Sequence, residues 1–299
     1  MFGRLLVNFN LDLLDCFVRV RFPSHITQAI QSANYIPLLF LAVLAAPLRA
    51  SPPIGAVVQT WHYDRQTNLV TATVANVSHK DITAYNISIK ETYADGHANS
   101  HELLCEYAGM MGFVQEFKGT ADEADIRKQF GDGLFHPGES RNEIIGVQPG
   151  LQNFEAVVDV VAYTDQIAEA TNNAALQRLL EERKASVAST QMANEIIRGA
   201  LTDPNDADPA ATAAEKIQDR ITVWKAQKHT TVDFEPGVAK GVVEELRAIS
   251  SRPLTEKRNA LTQYLTKSEK RLGAFSPHAQ LTKIGGPQWN CHSLLGPCS

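Results

Sequence analysis

LVTATVANVSHKDITAYNISIKETYADG, residues 69–96, is the stretch whose reading decides the fold class. Val70, Ala72 and Val74 alternate with Thr71, Thr73 and Ala75, the period of two that a strand with one buried face requires. After the polar interval 76–81, Tyr85, Ile87, Ile89 and Tyr93 share one face of a second run, and Asn86, Ser88 and Lys90 share the other. β-branched and aromatic residues dominate both runs, as a pleated, half-buried surface prefers. The pattern predicts two antiparallel strands joined by a short polar turn, a β-hairpin. Asp95-Gly96 supplies the positive-φ chemistry of the tight turn that follows. A lone hairpin is not stable in water, so further strands must pack on it.

Those strands are found on either side. VVQTWHY, residues 57–63, reads as a first strand closed by a polar turn at 64–68, and HELLCEY, residues 101–107, reads as a further strand or the start of a helix. Residues 142–147 form another strand after the Pro137-Gly138 turn. FEAVVDVVAY, residues 154–163, is apolar on both faces and so is expected at the centre of a sheet. Glycines at 109, 112, 119, 131 and 133 interrupt residues 109–133, which are expected to be an irregular insertion holding one short helix at 121–130. Strands punctuated by turns at this spacing are the signature of an antiparallel β-sandwich, immunoglobulin-like, over residues 51–168.

At Thr164 the periodicity changes from two to that of a helix. Leu176, Leu179, Leu180, Val187, Met192, Ile196, Ile197 and Leu201 recur on one face, with Glu181, Glu182, Arg183 and Lys184 opposite. Asp203-Pro204 ends that helix. Three more are expected, at 210–228, 237–249 and 255–273, giving a helical region of about four helices over residues 169–273. Residues 274–299, rich in Gly and Pro, are expected to be a disordered tail. The fold class is therefore α+β, a β half followed by an α half. Residues 52–168, about 115 residues with an apolar central strand, are within the size at which one core suffices and are expected to fold alone.

Hydrophobic residues make up 44% and charged residues 20% of the chain, and the net charge is −5 with both signs scattered. Without a basic face this argues against nucleic acid as the main partner. IPLLFLAVLAAPLRA, residues 36–50, is too short to span a bilayer, which takes about 20 residues. It fits the apolar core of a signal peptide within a leader, residues 1–50, with a mature start near Ser51. No Met lies between Met1 and Met110, so the expected start is a non-Met codon such as that of Val18 or Val20.

Val70…Val74-x-Asn76-x-Ser78…Ile82…Ile87-x-Ile89…Asp95-Gly96…Pro137-Gly138-Glu139 resembles the β-sandwich domains of the FxLYD type over residues 55–163. Thr92-Tyr93-Ala94-Asp95 only loosely echoes that family's signature, and the insertion at 109–133 is not part of its pattern. These domains belong to exported bacterial proteins without a general enzymatic role, so the resemblance implies an exported structural or binding module.

Candidate chemistry is sparse. His97, His101 and Cys105 stand at i, i+4 and i+8, which on a helix places three soft ligands along one face, as a zinc site needs. In an extended chain the same three spread over roughly 27 Å and form no site. Cys291 and Cys298, in CHSLLGPC at the end of the chain, are close enough to close a small disulfide loop, which leaves Cys105 as a buried free thiol. No G-x-S-x-G, no H-E-x-x-H and no phosphate-cradling glycine loop occurs, and no cofactor is implied. The expectation is a non-catalytic, periplasmic or secreted protein that binds another macromolecule, a protein at the cell envelope, with membrane contact only through an uncleaved leader. The alternative is a metal-dependent hydrolase using the His97, His101 and Cys105 region.

Overall fold

Residues 69–76 and 82–93 are strands, yet they do not pair with each other. In the computed structural model, which describes residues 54–227 and 234–285 and the backbone of Val18–Arg19, they belong to different sheets. The order of elements is β1 (Val18–Arg19), β2 (Ala56–Asp64), β3 (Leu69–Asn76), β4 (Ile82–Tyr93), β5 (Ala98–Glu106), α1 (Ala108–Glu116), α2 (Glu123–Phe130), β6 (Ser140–Gly146), β7 (Leu151–Tyr163) and β8 (Ile167–Ala170). There follow α3 (Asn173–Thr202), α4 (Pro209–Ala226), α5 (Pro236–Ser250), α6 (Leu254–Phe275), a 3-10 turn (Ser276–Ala279) and β9 (Lys283–Gly285). One sheet has the order β2-β3-β6 and the other β1-β5-β4-β7-β8-β9. All pairs are antiparallel except β8 with β9.

The expected hairpin is thus an arch that carries the chain from one sheet to the other. Its polar interval is held by Asn76, which is 1% exposed. The Asn76 Nδ2 donates to the carbonyls of Lys80 (2.9 Å) and Phe135 (2.8 Å), and its Oδ1 accepts from the Ser78 N–H (3.0 Å) and hydroxyl (2.7 Å). Every hydrogen-bonding position of the amide is filled, which is what burial of a primary amide demands. Alternation on its own is common to both geometries, since either way the apolar faces of β3 and β4 meet one core. That core joins Val70, Ala72, Val74 and Ile145 of the small sheet to Tyr85, Ile87, Ile89, Leu103, Phe154, Val158 and Val161 of the large one.

The outer face of the large sheet is covered by helix. Ala84, Val160, Ala162, Ala168 and Ala170 pack against Ala175, Leu176, Leu179 and Leu180 in the first half of α3. Small side chains on the strands let the helix approach, and the leucines fill the space between. The 30 residues of α3 run about 45 Å, so its second half leaves the sheet. There Ala193, Ile197 and Ala200 join Ala213, Ile217, Val243, Leu246, Leu261 and Leu265 in a separate helical core.

The fold is α+β, but its parts interleave. Six α-helices occur among the described residues, two of them inside the segment expected to hold one short helix. Gly109 and Gly112 read as helix breakers, yet α1 runs through both. A Cβ at Gly112 would lie 3.1 Å from the Arg271 Cγ and 3.2 Å from its carbonyl oxygen, so the glycine lets α1 and α6 touch. Residues 276–285, expected to be tail, form the 3-10 turn and β9, whose Ile284 packs with Leu281 onto the α3 contact. Cys291, Cys298 and the leader segment 36–50 lie outside the described residues. No helix among the described residues is long and apolar enough to cross a membrane.

Two predictions follow from the covered face. Arg183 is 2% exposed at its side chain and pairs with Glu106, whose side chain is 14% exposed, so Arg183→Ala leaves a largely covered carboxylate uncompensated. The loss expected in urea unfolding is about 3–5 kcal/mol; an unchanged midpoint would mean that Glu106 finds water instead. Fragment 52–168 has the size to fold alone, but it lacks α3 and leaves the alanine-rich face uncovered; the revised expectation is that it is insoluble and regains solubility when extended through residue 201. A cooperative β-type melt of the shorter fragment would show that the sheets need no helical cover.

Candidate functional site

The strand geometry of β5 places the candidate ligands far apart. His97 lies in the turn before the strand, exposed, its ring stacked on Tyr93 with centroids 4.3 Å apart and its Nδ1 2.6 Å from Asp95 Oδ1. His101 pairs across from Ile89, and Cys105 across from Tyr85. Four strand residues advance about 13 Å, so His101 and Cys105 cannot share a metal ion. The helical face that would have gathered these three does not exist, and no group of three His, Cys, Asp or Glu able to hold a metal occurs among the described residues.

What His101 does approach is Glu91. This carboxylate is 3% exposed; it accepts a hydrogen bond from the Tyr93 hydroxyl through Oε2, and its Oε1 stands 3.7 Å from His101 Nε2. Burial first, and then the Glu91 carboxylate, push the Tyr93 phenol up to about 12. The Tyr93 oxygen also accepts from the Gln148 N–H at 3.2 Å, which ties the β4–β5 end to the β6–β7 turn.

Cys105 belongs to a second cluster, between the sheets. On β6, Arg141 and Glu143 pair with Val74 and Ala72, whose side chains are in the core, so both point inward, while Asn142 and Ile144 point out. The Tyr85 hydroxyl donates to Glu143 Oε1 at 2.5 Å and lies 3.2 Å from the Tyr107 hydroxyl. The Arg141 guanidinium sits 4.3 Å over the Tyr107 ring and 5.0 Å over that of Phe135. Each polar group thus meets another before it meets the apolar core.

The electrostatics oppose nucleophilic use. Burial, then the charge of Glu143, push the Cys105 thiol well above its ordinary value, and burial does the same to Tyr85 and Tyr107. A thiol held in its neutral form is a poor nucleophile. The chemistry-bearing groups of this cluster are therefore engaged in holding the two sheets together.

Sequence reasoning did not single out Arg141 and Glu143, although alternation from Ile145, which is 1% exposed, puts both on the buried face; Ile144 is 60% exposed. The available signal was Tyr85 on the buried face of β4, whose hydroxyl needs a partner. The sequons Asn76-Val77-Ser78 and Asn86-Ile87-Ser88 are closed to modification, because both asparagines are buried and hydrogen-bonded.

No protein-family model matches the chain, and no curated protein matches it. Among solved structures, a hypothetical protein from Peptoclostridium difficile 630, determined by X-ray crystallography at 1.85 Å, is similar at 13% identity. The match covers 43% of this chain and 92% of that one, with a TM-score of 0.25. That likeness assigns neither fold nor function.

Alkylation tests the cluster. With native protein at pH 8 and iodoacetamide, peptide mapping should find residue 105 unmodified, and modified fully after unfolding. Zinc content after loading and desalting should be the same for wild type and His101→Ala. Native labelling at Cys105, or zinc lost with His101, would show that β5 opens to make a reactive site.

Proposed function

We propose that this is a non-catalytic, exported protein that binds another protein at the cell envelope, with its two facing sheets acting as an immunoglobulin-like sandwich. The resemblance of residues 55–163 to FxLYD-type domains is consistent with that description, and the apolar segment 36–50 with export to the periplasm or medium. The reading keeps residues 51–168 as the recognition module and the helices that follow as its support.

The observation that carries the reading is the open edge of the small sheet. Strand β2 has nine residues and, among the described residues, pairs on one side only, with β3. Trp61 on this edge is 42% exposed and tilts against Phe154 with ring centroids 5.3 Å apart. The outward neighbours Thr60, His62, Asn142 and Ile144 are exposed as well. An unpaired strand edge offers backbone donors and acceptors to an incoming strand, and a half-exposed tryptophan is the residue type that anchors interfaces. The metal-hydrolase alternative is the less favoured reading, since His101 and Cys105 stand four strand residues apart on β5 and His97 lies in the turn before it.

The test is affinity capture from envelope extract with wild type and Trp61→Ala, each shown to be folded by its melting temperature. Wild type should retain a protein that the variant loses, with a deficit of about 2 kcal/mol or more for an anchor tryptophan. Equal retention by both would move the binding surface elsewhere, and a wild type that retains nothing would overturn the reading.

A further inference from the structure

α1 and the turn after it, α6 and the 3-10 turn border an open cleft of about 530 Å³ lined by Met111, Gln115, Lys118, Lys270, Ala274 and His278. That volume is within the range of small-molecule sites. Two ammonium groups line it and no carboxylate does. Nearby acids in sequence are engaged elsewhere: Glu116 of α1 with Arg271, Glu123 of α2 with Arg127, and Glu269 of α6 with Arg198. The cleft is therefore positive in a chain whose net charge is −5.

His278 adds an independent observation. It is 7% exposed, and its Nδ1 is buried without a hydrogen-bond partner among the described residues. Its backbone is fixed, because Arg183 Nη1 donates to the His278 carbonyl at 2.8 Å. Burial, and then the Arg183 charge, push the imidazole down to about 4, so the ring is neutral near pH 7 and offers either a donor or an acceptor. A buried polar atom without a partner carries a cost that a bound polar group removes. Met111, Ala274 and the aliphatic stems of the lysines supply apolar wall around these groups.

We propose that the cleft binds a small anionic amphiphile, with its acidic head between Lys118 and Lys270, its apolar body against Met111 and Ala274, and Gln115 and His278 as uncharged polar partners. This site lies apart from the β2 edge and does not depend on it. Decanoate is the probe, with acetate as head without body and decyltrimethylammonium as body with the opposite charge. Calorimetric titration of the full chain should show saturable binding of decanoate below its micelle concentration, and neither control should bind in that range. Both lysines are exposed, so Lys118→Ala/Lys270→Ala leaves the core intact. Decanoate should bind that variant roughly tenfold more weakly or worse, about the worth of one charge-assisted hydrogen bond. In wild type the His278 ring resonances should shift on titration. Equal affinity in the double variant, equal binding of the cationic amphiphile, or unmoved His278 resonances would each overturn the proposal.

Discussion

Arg183 enters the space between α3 and the large sheet with almost none of its surface in water, and three other pieces of the chain converge on its guanidinium. Nε and Nη2 form a fork with the two Glu106 oxygens at 2.8 and 3.0 Å, Nη1 donates to the His278 carbonyl at 2.8 Å, and Nη2 also reaches the Thr83 hydroxyl at 3.1 Å. Each acceptor has a further task. Glu106 Oε1 accepts the Ala108 N–H that opens α1, and the Thr83 hydroxyl donates to the Ala162 carbonyl of β7. One planar cation thereby sets α3, β4, the end of β5 and the 3-10 turn in one geometry. Arginine suits this place where lysine would not, because only a rigid fork can meet two carboxylate oxygens and two further acceptors in fixed directions.

Such a pair contributes little net stability, since the cost of removing two charges from water is of the same order as their attraction. The apolar contacts of α3 supply the driving force, and the polar groups decide where along the sheet the helix lies. Asp159 serves the same end at the start of α3. Its carboxylate, buried on β7, accepts from Asn86 (2.8 Å), Ser88 (2.5 Å) and Asn172 (2.9 Å). Asn172 in turn caps the helix by accepting the Ala175 N–H. With Asp159 at the first turn and Arg183 three turns on, α3 is pinned at two points and cannot slide or rotate without leaving a buried charge unpaired.

Much of the strand and helix content can be read from periodicity, because burial of one face imposes a period of two or 3.6 whatever the partner is. Which partner buries that face cannot be read this way. Residues 69–96 alternate as a hairpin would, and what distinguishes the arch is Asn76, whose amide donates to the Lys80 carbonyl across the turn and to that of the distant Phe135. Strand β6 carries two charged residues on the same face as buried Ile145, since Tyr85 and Tyr107 give Glu143 and Arg141 a polar, aromatic niche inside the core. α1 was hidden by glycines that serve packing instead of termination. At Gly133, with φ at +84, a Cβ would also meet the Met111 backbone nitrogen at 2.5 Å, so a residue that reads as loop is a contact surface for α1. At the candidate site the ligand spacing was legible, and the strand conformation of β5 decided against it. Of the groups around Cys105, Glu143 and Arg141 were not legible, because they come from a strand more than thirty residues on.

The return of the chain to the sheet explains why its two kinds of structure are not separable in space. After α6 the 3-10 turn presents the His278 carbonyl to Arg183, and β9 then pairs in parallel with β8. Ile284 and Leu281 close over the same alanine-lined face that the first half of α3 covers. The sheet face is thus finished by residues about 110 positions apart in sequence, and Arg183 lies where they meet. The cleft beside α1 inherits its shape from this closure. His278 faces it from a backbone that Arg183 holds, and α1 forms its opposite wall from a first turn that Glu106 caps. Lys270 stands on α6 and Lys118 just after α1, and those two helices are joined directly by the pair of Arg271 with Glu116, so the wall opposite His278 is held by a second, part-buried ion pair.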